Sequence, residues 1–127
     1  MIISTPVSLG ELVDKLSILH IKNINIKDNE KLKLIREEFD LLNKTLNDHI
    51  KRDDIQKYLD SLIEINSKLW VIEDDIRDCE RNKNFDQKFI DLARSVYFTN
   101  DKRSEVKLEI NKKFGSTIIE VKSYEEY

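Results

Sequence analysis

The stretch "IQKYLDSLIEINSKLWVIEDDIRDC", Ile55 to Cys79, decides the fold class. Ile55, Tyr58, Leu62, Ile65, Leu69, Ile72, Ile76 and Cys79 recur in alternating steps of three and four. Held for more than three heptads, that spacing is the pattern of left-handed helix-bundle packing. Leu59, Ile63 and Trp70 widen the stripe on one side, which predicts a bundle helix with more than one neighbour. Asp53 with Gln56 makes a capping-box pattern at its start.

Outward from this helix the same logic repeats. After it, Asn84 with Gln87 can cap a fourth helix, in which Phe85, Phe89, Leu92, Val96, Thr99, Arg103, Val106 and Ile110 keep heptad spacing. Gly115 is placed as its C-terminal cap, and "TNDK", Thr99 to Lys102, is a place for a kink or restart. Before it, Asp28 or Asn29 can cap a helix with the stripe Leu32, Ile35, Phe39, Leu42, Leu46 and Ile50. The first helix opens on "SLGE", where Ser8 and Glu11 form a capping box. Leu9, Leu12, Val13, Leu16, Leu19 and His20 share one face of it. Short connections make neighbouring helices antiparallel. The expectation is one all-α domain over residues 1–127, an antiparallel up-down four-helix bundle with a long hairpin of the third and fourth helices. The tail "STIIEVKSY" alternates like a short strand and could pair with "MIIS", since such a bundle returns both termini to one end.

Composition agrees. Hydrophobic residues are 39% and charged residues 37% of the 127, which suits helices with narrow buried faces and wide wet ones. Two glycines and one proline leave little for the turns of an all-β fold. The net charge is −3 with both signs interspersed, so no basic footprint for nucleic acid dominates. Cys79 is the single cysteine, which excludes an intramolecular disulfide and a cysteine zinc cluster and fits a reducing compartment. "MIISTPVSLG" lacks the regions of a signal peptide, and no apolar run approaches the ~20 residues of a membrane span, so a cytoplasmic location and no membrane partner are expected.

Four blocks, "IISTPVSLGELVDKLSIL", "LWVIEDDIRDCE", "FIDLARSVYFTNDKR" and "KLEIN…EVKSY", resemble a short bacterial and phage domain family of unknown function. The resemblance covers nearly the whole chain. It implies a helical domain and brings no activity, cofactor or catalytic residues with it. Some members of that family sit beside sugar-transfer or surface-polysaccharide genes.

Motifs of enzyme chemistry are missing. There is no Gly-rich phosphate loop, no nucleophile elbow and no Cys/His metal spacing. Ser17 and Leu46 precede His20 and His49 by three residues, where a di-iron bundle needs glutamates. No catalytic residue, metal or other cofactor is therefore expected.

Two groups of residues remain. Arg103 replaces an apolar residue at a seam position, with Asn100 and Lys107 beside it. In an antiparallel hairpin it lies level with about Ile63 to Asn66. There it could meet Asn66, His20, Asn23, Asp40 or Asn43 in a polar layer that fixes helix register, or anchor an anionic ligand in a pocket. The second group is the end of the third helix. Asp75 and Asp78 face solvent, while Glu73, Arg77 and Glu80 continue the side of Trp70 and can pair along the helix. With the longer hairpin outrunning the first two helices, Ile76, Phe85 and Phe89 would close mainly on each other at an overhanging tip. A second copy could dock there.

The leading expectation is a non-enzymatic interaction or self-association module, most simply a homodimer, with a docked protein partner as the variant. The alternative is a binding protein or enzyme for a polar or anionic small molecule at the Arg103 layer, sugar-linked if the gene neighbours of the resembled family are a guide. A nucleic-acid accessory protein comes third.

Overall fold

The computed structural model describes residues 1–127 as four helices without a strand: α1 Leu9–Asn25, α2 Asn29–His49, α3 Arg52–Arg81 and α4 Gln87–Lys113. They form the antiparallel up-down bundle that the heptad spacing predicts. α1 packs against the other three, α3 and α4 pack along each other, and α2 rests chiefly on α1.

Local chemistry sets the boundaries. Ser8 Oγ accepts from the Glu11 amide at 3.1 Å, one half of the expected capping box. The other half is missing because the Glu11 carboxylate turns to Lys107. Asp28 caps α2 by accepting from the Lys31 amide. Two expected starts shift. α3 begins at Arg52 behind Lys51 with no side-chain cap, so Asp53 and Gln56 form no capping box. Asp53 already lies in the first turn, and Gln56 accepts from Arg52 and donates to Asp60. α4 is capped by Asp86, which accepts from the Lys88 amide, while Asn84 accepts from the Asp86 amide within the turn. Phe85 therefore sits in the turn, outside the helical seam.

Both long helices end in the same motif. The Asn84 amide donates to Cys79 O and the Lys83 amide to Glu80 O, with Lys83 at φ 53. After α4 the Ser116 amide donates to Asn111 O, and Gly115 takes φ 67, a left-handed conformation that glycine adopts without steric cost. α4 is unbroken through Thr99–Lys102, so no restart occurs there.

The main core is a cluster of nine buried residues: Leu12, Val13, Leu16, Leu46, Ile55, Tyr58, Leu59, Leu62 and Ile110. All lie toward the end where α2 passes into α3 and α4 terminates. Fully burying one such aliphatic side chain is worth about 1.5–3 kcal/mol, so most of the stability is concentrated at this end. Toward the α3–α4 turn the core thins. Leu69 and Cys79 are buried, but Ile72, Ile76, Phe89, Leu92 and Val96 are only half-buried. α1 stops at Asn25, about four residues or ~6 Å short of the end of α3 when Asp14 and Asn66 are set level. The free overhang is thus the last turn of α3 and the loop, since part of the extra length of α3 lies at its other end.

The terminal strands expected from alternation do not form. No backbone hydrogen bond links residues 1–7 to 117–127. Beyond Ser116 the tail instead folds back along α4, held by Glu120 on Lys107 and by Tyr127 on Asp101. Its hydrogen bond to the start of α1 runs from the Leu9 amide to Ser116 Oγ.

Candidate functional site: an ionic layer between the first and last helices

At 3.6 residues per turn, Gly10, Asp14, Ser17 and Ile21 stack on one face of α1, and Asn100, Arg103, Lys107 and Asn111 on one face of α4. The two helices run antiparallel, so Gly10 meets Asn111 and Asp14 meets Arg103. Closeness comes from Gly10. Its amide donates to Asn111 Oδ1 at 2.7 Å, and a Cβ added there would lie 2.5 Å from Lys107 O.

Asp14 is the centre. Its side chain is 1% exposed, yet both oxygens are satisfied. Arg103 Nε donates to Oδ1 at 2.9 Å and Nη2 to Oδ2, a bidentate pair. Asn66 of α3 donates to Asp14 Oδ1 at 2.9 Å and to Ser17 Oγ at 2.7 Å, and Ser17 Oγ donates to Asp14 O at 2.6 Å. One turn away, Lys107 Nζ reaches Glu11 at 2.7 Å, Glu120 at 3.2 Å and Asp14 at 3.9 Å. An uncompensated buried carboxylate costs several kcal/mol, and charge-assisted, two-pronged bonds are the arrangement that offsets it. No buried side-chain nitrogen or oxygen in the protein lacks a partner.

The ionisable groups respond accordingly. The hydrogen bond to Asp14 raises Arg103 against the opposing effect of its burial. Burial pulls Lys107 down, but the bond to Glu11 and the charges of Asp14 and Glu11 outweigh it, so its value ends raised. Hydrogen bonds from Lys122 and then Lys107 hold Glu120 below the usual carboxylate range. A depressed folded value means that Glu120 helps hold the tail fully above the ordinary glutamate value of about 4.3. That help fades as pH falls through the lower, folded value. A carboxyl NMR titration should therefore place Glu120 below a free glutamate, and Lys122→Met should move it upward. A midpoint at the ordinary value would contradict the docked tail.

Of the residues singled out from sequence, Arg103, Lys107, Asn66 and, at 3.5 Å from Arg103, Asn100 come together here. His20 does not. It lies about 120° round α1 from Asp14 and is exposed beside Phe39, Gln56 and Glu64. Nor do Asn23 and Asn43, which accept from Arg36 and Arg52, or the exposed Asp40. Asp14, Glu11, Ser17, Asn111 and Glu120 were not anticipated. The signal that finds Glu11 and Asp14 is mirrored spacing, two acids behind a glycine against two bases at Arg103 and Lys107; nothing comparable marks Ser17, Asn111 or Glu120.

The second group falls nearby. Trp70, Glu73 and Arg77 border a recess of about 460 Å³ whose floor includes Asn66, Asn100 and Arg103. Glu73 and Arg77 pair along the helix as expected. Both are about half exposed or more, so the pair contributes a few tenths of a kcal/mol at most. Arg77 does not pair with Glu80, which turns to Lys83 at 3.2 Å. Asp78 is exposed and paired with Arg81, while Asp75 is partly covered. Phe85 and Phe89 meet edge to face at 5.2 Å, and Ile76 is half-buried. No three metal-ligating side chains gather anywhere, and no helix is long and apolar enough to cross a membrane.

Fold and layer together define a small all-α bundle whose first and last helices are tied by a buried ionic layer. Within that class the chain belongs to a family described as "Family of unknown function (DUF6165)", whose model matches residues 3–127. No curated protein and no solved structure matches it.

Proposed function

We propose that the protein is a self-association module that completes its thin end by docking a second copy along the α3–α4 hairpin. The observation that carries this reading is its surface. The accessible area is 9259 Å² at 15.1 kDa. A compact monomer of that mass exposes about 7,100 Å², so the excess is roughly 2,000 Å². The extended termini supply part of it, but a stable interface needs only about 800 Å² from each partner.

The location follows from packing and charge. Phe89 is half-buried and Phe85 is half exposed in the part of the hairpin that α1 no longer covers, and the half-buried Ile76 stands level with the last turn of α1. Six of the charges near them are already paired within α3 and its turn, as Glu73–Arg77, Asp78–Arg81 and Glu80–Lys83, while Asp75, Asp86 and Lys88 have no ion-pair partner. Such a face, largely self-paired and carrying both signs, can meet its own copy across a two-fold axis with little like-charge repulsion. An anionic small molecule at the Arg103 layer draws less support, because Asp14 already engages the guanidinium in two places.

Light scattering or sedimentation equilibrium tests this. The wild type is expected at twice 15.1 kDa, and Ile76→Glu with Phe89→Glu at 15.1 kDa with unchanged helicity. A wild type that stays monomeric at several hundred micromolar would overturn it.

A further inference from the structure

A second surface, away from the hairpin tip, carries a different chemistry. Tyr97, Phe98 and Tyr127 form an aromatic cluster on the outside of α4, with ring centroids 4.9–5.3 Å apart. Each is at least 43% exposed, so little packing accounts for it. The cluster borders a cleft of about 1220 Å³ between α4 and the returning tail.

The charges in this cleft are unevenly committed. Arg103, Lys107 and Lys122 line it, but each is paired with an acid: Asp14, Glu11 with Glu120, and Glu120 respectively. Asp101, Glu125 and Glu126 also line it, and none of them has a cationic partner. Glu105, one turn beyond Asp101 on α4, is exposed and likewise unpaired. The uncommitted charge is therefore acidic and sits around exposed aromatic rings. Among the cations that line the cleft only Arg94 is free, and it lies over the Phe98 ring at 6.0 Å, which shows in miniature the group this surface holds; outside the lining, Lys102 is exposed and unpaired beside Asp101.

We propose that the Tyr97, Phe98 and Tyr127 cluster, with Asp101, Glu105, Glu125 and Glu126 around it, docks an arginine-bearing segment of a partner protein. Guanidinium groups suit both features. They stack on aromatic faces and form two-pronged bonds with carboxylates, which an ammonium cannot do. The Tyr127 phenol is pushed up to about 12, first by its hydrogen bond to Asp101, then by burial, and after these by neighbouring charges that include Asp101 and Glu105. This surface does not depend on self-association, and the two readings fail separately.

The test uses the full chain and a fluorescein-labelled peptide of alternating arginine and serine, read by anisotropy beside lysine–serine and glutamate–serine peptides. Saturable binding of the arginine probe is expected, weakening at least about tenfold between about 50 and 300 mM salt. The lysine probe should bind several-fold more weakly, and the glutamate probe not at all. Tyr97→Ala with Phe98→Ala, and separately Asp101→Asn with Glu125→Gln and Glu126→Gln, should each weaken the arginine probe at least about tenfold. All five residues are at most partly covered, so both variants should keep their helicity. No saturable binding overturns the proposal. So does equal binding by the Tyr97/Phe98 variant, which would mean attraction by net charge alone, or loss of binding confined to the Ile76/Phe89 variant, which would move the docking site to the hairpin tip.

Discussion

Arg103→Ala should lower the unfolding free energy by about 3 kcal/mol, the lower end of the range for removing one partner of a buried ion pair. For a chain of this size that is about 10 °C in Tm. The cost arises less from the lost arginine than from what stays behind. Asp14 is 1% exposed and would keep only Asn66 at hydrogen-bond distance, with Lys107 at 3.9 Å. Arg103 itself is 28% exposed, so water can reach the space it leaves and the low end of the range applies. The control is the double variant Asp14→Leu with Arg103→Leu. Replacing both charges by apolar groups leaves no orphan, so it should be markedly more stable than Arg103→Ala. Urea unfolding of the three proteins decides it. If Arg103→Ala unfolds with the wild type, the pair is a surface ornament and the layer holds nothing together.

The second large effect is at Gly10, where two principles oppose each other. In a helix interior alanine is favoured over glycine by up to about 1 kcal/mol. Here the added Cβ would meet Lys107 O at 2.5 Å and Asn111 Oδ1 at 3.0 Å. The first of these is backbone and cannot rotate away. α1 and α4 must separate, which costs about 1–3 kcal/mol as overpacking and stretches the Gly10–Asn111 hydrogen bond by the same movement. The clash wins, and Gly10→Ala should be destabilised by about 2 kcal/mol, visible as a lower urea midpoint. A variant at least as stable as the wild type would show that propensity dominates and that the helices do not approach so closely. Gly115→Ala is a useful contrast: nothing lies within 4 Å of that Cβ, and only its left-handed φ of 67 resists the change.

Four helices, their order and their apolar faces could be read directly because each rests on residues within a turn or two of one another. Ile55 to Cys79 show a face whether or not anything covers it. Caps were less secure. Asp53 and Asn84 have the right chemistry, but Asp86 stands closer to the start of α4, and α3 already begins at Arg52 behind Lys51, which puts Asp53 inside its first turn. The alternating tail does not take up the strand pairing open to it, because alternation reports only which sides differ, and here the covering element is a helix carrying Lys107 and Asp101.

Arg103 marks the division most clearly. Its place on the apolar seam was evident from spacing, and so was its need for a polar partner. Which partner it has was not. Asp14 stands 89 residues away in the chain, in "LVDKL", where one acid among many looks like ordinary surface. Sequence by itself determined the helices, since propensity and periodicity are local. Only the tertiary structure decided that α1 lies in contact with α4 at Gly10, because that approach depends on two backbones meeting. The same approach dries Asp14, which turns a common charge into the one that Arg103 must answer.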